Sequence, residues 1–376
     1  MTAAAEAGPR RGLARVDGVD VARGLASAIM IQGHAYDGWV SPEGKATQAY
    51  LFTRLLGTLP LPAFLILSGA AVALRCEAAI AKGEPASAVR AALLRRGLEV
   101  LAIGYLVNVA YALIDGWDGL VTLFRADVLP LIGLCIATIA AAGIGPASGA
   151  TPTIDRRRLA IAAGALAVLP IAICPWVTSW SRGVEGPARY ALGLVAEVSE
   201  VTRMPFVPLA GWAGIGVLLG LLLVRANRIA RSVSGAPRHV LLALLAVALG
   251  VAVGFTHLTR VWVEASGLPL DRTHPAVVAN AIELAGRGTV VLVAGALVTP
   301  YLPDKLCAVL LRMGRGSLVA YVFHIPFCYG APSELVRGRL DMLEATALVV
   351  LLEVASFGAV WARDTLRSRW RARGRA

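Results

Sequence analysis

Charge is what this sequence has little of. Only 16% of its 376 residues are Asp, Glu, Lys or Arg, while 57% are hydrophobic and the mean hydropathy is +0.69. Soluble domains carry roughly a quarter charged residues. A water-soluble globule of this size needs more polar surface, which excludes soluble enzymes, DNA-binding domains and disordered proteins. Cysteine is scarce too: five, with no close pair and no CxxC, so neither a disulfide framework nor a zinc site is readable. The five histidines form no HExxH and no Cys/His cluster, and no metal site is expected. A Walker-type loop, a GxGxxG after a strand and a GxSxG elbow are all missing. ATP-driven transport and serine hydrolysis therefore lack support. The polar N-terminus has no cleavage site after an apolar run, so a cleaved signal peptide is not expected.

What the chain does have is long apolar runs. A bilayer core needs about 20 mostly apolar residues per helix. Ten segments meet or approach that length: about 24–40, 55–74, 97–114, 127–147, 159–180, 205–224, 239–256, 285–302, 316–333 and 344–362. Their Leu, Ala and Val content favours helices over the alternation of a membrane barrel. The reading is an all-α, polytopic transmembrane helical bundle of about ten spans. It forms one domain over 1–376, with a polar N-terminal segment 1–19 and a basic tail 363–376.

Orientation follows from the basic residues. With the N-terminus inside and ten crossings, 25 of the 36 Lys and Arg fall on cytoplasmic segments, against 8 of the 24 acids. Both termini are then cytoplasmic. The net charge of +12 reads as membrane orientation, and the tail RDTLRSRWRARGRA as a lipid-headgroup anchor, not a nucleic-acid arm. The longer outer loops are about 181–204 and 257–284, with shorter ones near 41–54 and 115–126. Inner segments 76–90 and 303–314 suit amphipathic placement on the cytoplasmic face. No internal repeat is evident.

Ionisable residues inside spans are costly, and each needs a reason. Span one reads Asp20-Val21-Ala22-Arg23-Gly24, then an apolar stretch, then Gln32-Gly33-His34-Ala35-Tyr36-Asp37. Asp20 and Arg23 can pair at i,i+3. Arg23 and His34 stand eleven positions, roughly 16 Å, apart on a helix, one near the inner interface and the other in the outer half. Asp37 follows His34 at i+3, where it can orient the imidazole. The competing reading of His34 is a packing histidine bonded to a carbonyl; the nearby acid and arginine tilt the balance towards function.

Span two, LPLPAFLILSG, has prolines that free backbone carbonyls and a Ser68-Gly69 pair small enough for close approach, with helix packing the plainer account of Ser68. Arg90, Arg95 and Arg96 open span three, with Glu99 one turn further in. Such a basic cluster suits phosphate, although inner-face anchoring and pairing with Glu99 explain it equally well. Asp127 stands at the start of span four, where helix capping is a fair account. In span nine Ser317, Tyr321 and His324 recur at helical spacing as a polar stripe. Glu353 in span ten calls for a partner on a neighbouring helix.

The run VDGVDVARGLASAIMIQGHAYDGWV resembles the start of the membrane acyltransferase superfamily, which carries an Arg and a His about ten residues apart on its first span. Arg23-Gly24, Ser68-Gly69 and the Ser317…Tyr321…His324-Ile325-Pro326 segment are similar to the same pattern. The Asp-x-x-Arg-Gly opening, the His-Ala-Tyr-Asp step and LPAFLILSGA look closest to the heparan-alpha-glucosaminide N-acetyltransferases and their bacterial relatives. The acyltransferase-3 branch, which O-acylates surface glycans, is the neighbour. The resemblance covers about 15–115 and 315–330 and is thin across 140–300.

The resemblance implies a transmembrane enzyme moving an acyl group, most simply acetyl, from cytoplasmic acyl-CoA to an amine or hydroxyl of an extracytoplasmic glycan or lipid-linked acceptor. Acyl-CoA is then a co-substrate and no cofactor is tightly bound. It implies catalytic His34 with Asp37, donor phosphates at Arg23, Arg95 and Arg96, and support from Ser68, Asp127, Ser317, Tyr321 and His324. A general-base role and a transient acyl-histidine both stay open. The expected setting is a bacterial plasma membrane, with a homodimer left open. The alternative from another class is a transporter or flippase for a lipid-linked or acylated substrate; a non-catalytic scaffold ranks last.

Overall fold

The computed structural model describes residues 17–114, 120–147, 152–232, 237–266 and 274–373. Most of the expected polar N-terminal segment, parts of the loops at 115–126 and 257–284, and the last three residues of the basic tail lie outside the described residues. Regular structure among the described residues is helical, with three isolated bridges and no strand. The first helices are α1 (Asp17–Trp39), α2 (Pro42–Lys45), α3 (Gln48–Gly57), α4 (Pro60–Ala81), α5 (Ala86–Ile114), α6 (Leu120–Leu123), α7 (Val128–Gly143) and α8 (Arg156–Ser181). Then come α9 (Ala188–Leu192), α10 (Phe206–Ser232), α11 (Pro237–Ser266), α12 (His274–Val298), α13 (Asp304–Arg315), α14 (Ser317–Tyr329) and α15 (Met342–Arg373).

The chain is an all-α polytopic membrane protein. Seven segments are long and apolar enough to cross a bilayer, and an eighth arises if the bent pair α13–α14 counts as one span. The ten expected segments each hold a helix, but α1, α7 and α14 depart from an ordinary apolar span. α1 is long but carries Asp17, Asp20, Arg23 and Asp37. α7 has 16 residues and α14 only 13. At ~1.5 Å per residue, α14 covers about 20 Å of a ~30 Å hydrocarbon core.

Several boundaries differ for local reasons. α1 begins seven residues before the expected span, with Asp17 and Asp20 in its first turn, where acids complement the helix dipole. The prolines of LPLPAF do not interrupt a span: Pro60 starts α4, where a missing N–H costs nothing, and the chain turns at Thr58–Leu59 between α3 and α4. Segment 76–90 is no separate amphipathic piece, because α4 runs to Ala81 and α5 begins at Ala86. Arg75 bridges that turn to Glu84 at 2.5 Å, and its hydrogen bond holds the Glu84 carboxyl below the usual carboxylate range. The expected amphipathic segment at 303–314 is α13, set at 80° to α14 across Gly316. The tail is helical through Arg373.

Two apolar cores form. The larger joins α4, α7, α8 and α10 with the start of α5 and parts of α1 and α12, around Leu65, Ile66, Leu131, Leu159, Trp212 and Leu292. The smaller joins the C-terminal half of α1 to α14 and α15 around Ile31, Trp39, Cys328 and Leu352. Small residues let the backbones meet. At Gly97 a β-carbon would lie 2.7 Å from the Gly133 carbonyl, and Gly133 faces Gly97 and Leu101 just as tightly, so α5 and α7 touch backbone to backbone. Gly314 of α13 is pressed in the same way against the Asp20 carbonyl of α1. The buried Glu77 of α4 accepts two hydrogen bonds from Arg156 at 2.7 and 3.0 Å, fastening α8.

The α5–α7 contact yields a test. Gly133→Val places atoms inside the α5 backbone and should destabilise the purified protein by about 1–3 kcal/mol, the usual cost of overpacking. Gly250→Ala on α11, where nothing lies within 4 Å, should leave stability unchanged or slightly raised. Thermal unfolding in detergent reads the difference.

Candidate active site

The three unusual helices meet at one place. On α1, residues Arg23, Ser27, Met30 and His34 fall within about 60° of one another at ~100° per residue, so they line one face. Arg23 is anchored at the N-terminal end of this face. It lies 3.5 Å from Asp20 and donates to the Leu67 carbonyl of α4 at 3.3 Å. Ser27, fully buried, donates to the Arg23 carbonyl at 2.9 Å.

His34 lies at the other end, stacked on His324 of α14 with centroids 5.2 Å apart and planes 10° from parallel. His34 Nδ1 and His324 Nε2 are 2.9 Å apart. His324, with no exposed surface, uses its Nδ1 on the Ala320 carbonyl at 2.8 Å. A carbonyl only accepts, so His324 Nδ1 carries the hydrogen. In the neutral pair His324 Nε2 is then the acceptor, His34 Nδ1 the donor, and His34 Nε2 is left with a free lone pair. Tyr321 and Tyr329 stand edge-on to the pair, at 5.8 Å from His324 and 5.6 Å from His34.

Between the helices runs a cavity of about 280 Å³. Its charged lining is Arg23, Arg96 and Arg315; Ser68, Ser317 and Tyr321 add hydroxyls, and Met30, Phe64, Val100, Val128 and Ile132 supply apolar wall. The arginine end is held by acids, since Arg315 reaches Asp20 at 3.1 Å and Asp17 at 3.5 Å. Tyr321 links the cavity to the histidine pair.

The expected residues separate into those the fold gathers and those it sends elsewhere. Arg23, Arg96, Ser68, Ser317 and Tyr321 line the cavity, and His34 and His324 adjoin it. Ser68 also donates to Leu65 within its own helix. Asp127 caps α7, accepting from the Val128 N–H at 2.7 Å, as a helix start suggests. Two expectations need correction. Asp37 does not orient His34, because His324 holds the ring nitrogen that it would have taken. Its carboxylate instead accepts from Arg54 at 3.1 Å, Tyr329 at 3.2 Å and Tyr50 at 3.5 Å. Arg95 turns away from the cavity: its side chain is 83% exposed and bonded to Glu99 at 2.9 Å. Glu99 also lies 3.5 Å from Arg96. Glu353 has no hydrogen-bond or ion-pair partner among the described residues, contrary to the expected helix neighbour.

Sequence reasoning missed Arg315 and Tyr329. Arg315 reads as one more inner-face cation, and only the turn at Gly316 swings it beside Arg23. Tyr329 stands five positions beyond His324, off the face of the stripe already noticed, so helical periodicity gave no signal for it. Among the described residues no group of His, Cys, Asp and Glu could hold a metal ion.

No curated protein sequence matches the chain. A family model described as heparan-alpha-glucosaminide N-acetyltransferase, catalytic, matches residues 15–253. The match runs through the middle helices, where the sequence resemblance is thin, and stops before α14, so its region holds His34 and Arg23 but not His324. Spanning well over half of the residues, it assigns the chain to the heparan-alpha-glucosaminide N-acetyltransferase-like family of membrane acyltransferases.

Proposed function

We propose that this membrane-embedded acetyltransferase takes its acetyl group from acetyl-CoA at the arginine end of the cavity and passes it to a glycan amine or hydroxyl at the histidine end. The observation that carries the reading is the cavity itself, which runs from Arg23, Arg96 and Arg315 to Tyr321 beside the paired imidazoles. Its volume, about 280 Å³, sits at the lower end for ligand pockets and suits a slender pantetheine arm better than a nucleotide. The phosphates and adenosine would remain at the arginine mouth, where guanidinium groups match phosphate geometry. Arg95, on the exposed side of α5, would meet them only from outside.

His34 Nε2 then works as the general base. As the acceptor nitrogen or oxygen bonds to the thioester carbon, its proton moves to Nε2; the C–S bond breaks, and the departing thiolate takes that proton from Nε2 and leaves as the thiol. His324 positions His34 by accepting from Nδ1, and the Ala320 carbonyl holds His324. Asp37 acts at one remove, fixing the Tyr329 hydroxyl while the tyrosine ring borders His34. The family description supports an amine acceptor of the glucosaminide type. The run of basic residues on alternate segments supports donor uptake from the cytoplasmic side of a plasma membrane.

Purified protein in detergent should convert acetyl-CoA and a glucosaminide to free CoA and the N-acetyl product. His34→Ala should lower kcat by about 10²–10⁴-fold, the usual contribution of a general base, with unchanged thermal unfolding. Undiminished transfer by that variant would reject His34. Arg96→Ala should raise KM for acetyl-CoA and leave KM for the acceptor alone. Substrate accumulation in proteoliposomes without acetyl-CoA consumption would favour a transporter instead.

The proton order is testable without turnover. In ¹⁵N-histidine spectra of the neutral protein, His34 and His324 should both appear as the less common Nδ1–H tautomer. His324→Phe should return His34 to a mixture. Nε2–H signals from both residues in the wild type would overturn the relay.

A further inference from the structure

His34 has an open side that the cavity does not account for. His324 is fully buried, but His34 keeps some exposed surface although it is not among the residues lining the cavity. Contacts joining α1 to α3 bracket it. At ~100° per residue, Gly33 and Asp37 point within about 40° of each other, and both meet α3. Gly33 faces Gly57, and Asp37 pairs with Arg54 at 3.1 Å. One contact stands directly before His34 and the other a turn beyond it, where β-carbons are about 5–6 Å apart.

The Gly33–Gly57 contact differs from the pressed glycines of α5 and α7. A β-carbon at Gly33 would meet the Gly57 backbone only at 3.5 Å, and one at Gly57 would meet Gly33 at 4.0 Å, against 2.7 Å at Gly97. Helix approach does not require glycine here. The two missing side chains leave a slot beside His34, and Gly57 is exposed. Its rim is polar. The Asp37 and Arg54 side chains are 41% and 61% exposed, which sets the mouth of the slot in water, because hydrocarbon does not host such a pair. A guanidinium has five N–H donors, more than Asp37 and Tyr50 take up. Tyr329, which donates to Asp37 at 3.2 Å and stands edge-on to His34, exposes part of its ring. Spare charged donors, a carboxylate and an aromatic surface together suit a ligand with neighbouring hydroxyls and an apolar C–H face. A sugar ring has both.

We infer that the acceptor sugar enters between α1 and α3, where Arg54 donates to its ring hydroxyls and Tyr329 supports its C–H face, and so meets His34 outside the donor cavity. Arg54 is the binding residue, and Asp37 positions it. Donor and acceptor then approach one imidazole by separate routes, and Gly57 sets the width of the second. The place of this site in the reaction rests on the acyltransferase reading; the sugar binding itself does not. Recognition goes to the hydroxyls, so an amine on a bare hydrocarbon ring is a poor ligand.

Equilibrium binding in the absence of donor tests the route. Methyl glucosaminide and cyclohexylamine, a ring amine without hydroxyls, are titrated by calorimetry into the detergent-solubilised wild type, Arg54→Gln and Gly57→Leu. The wild type should bind the sugar saturably and cyclohexylamine about tenfold or more weakly. Arg54→Gln should lose about tenfold or more in sugar affinity, the worth of one hydrogen bond to a charged group. Gly57→Leu should fill the slot and abolish saturable sugar binding. Both variants should keep the wild-type affinity for acetyl-CoA and the wild-type unfolding temperature, since position 57 has room for a side chain and helices favour leucine over glycine. The exposed Arg54 carries the test should Gly57→Leu unfold. Wild-type sugar affinity in either folded variant, a parallel loss of acetyl-CoA affinity, equal binding of cyclohexylamine, or no saturable sugar binding by the wild type overturns the assignment. A protein that binds the sugar through the slot but never consumes acetyl-CoA would sink the acyltransferase reading and leave the site standing.

Discussion

A helix that carries Asp20, Arg23, His34 and Asp37 along 23 residues cannot face lipid, and the architecture answers to that constraint. α1 is enclosed by α3, α4, α12, α13, α14 and α15. Each charged group receives a partner inside the wrap: Asp20 for Arg23 and Arg315, His324 for His34, Arg54 and two tyrosines for Asp37. The apolar cores on either side supply the walls. Lipid meets the flanks of helices such as α11, of which little is buried.

From this enclosure the chemistry of the histidine pair follows. Two imidazoles in water exchange tautomers freely, and neither end of the pair would be committed. Buried against the Ala320 carbonyl, the pair has one direction. The carbonyl decides the hydrogen on His324, which decides the hydrogen on His34, which leaves the lone pair on His34 Nε2. A backbone oxygen two removes away thus sets which His34 nitrogen keeps its lone pair.

Much of this was legible in the sequence because membrane solvation leaves strong marks. The apolar runs gave the helices, and the Arg23–His34 spacing gave a face with charge at one end and imidazole at the other. The Ser317–Tyr321–His324 stripe gave the opposing face. What stayed hidden depends on tertiary approach. Asp37 at i+3 from His34 is as near in sequence as a partner can be, yet a histidine 290 positions away takes the bond. Arg95 and Arg96 are neighbours in sequence, but adjacent helical positions point about 100° apart, so one lines the cavity and the other faces out. Arg315 could not be singled out because the bend that delivers it is made by Gly316, packed against Val360 of a helix far along the chain.

The shortness of α7 and α14 has a consequence for the bilayer as an insulator. Elsewhere the helices match the hydrocarbon slab, but here the Arg23 guanidinium and the His34 imidazole are separated by only about 16 Å of helix, roughly half the slab. An apolar stretch that short between two polar groups means that a charge at either end lies further from the middle of the slab, where charge is most costly to hold.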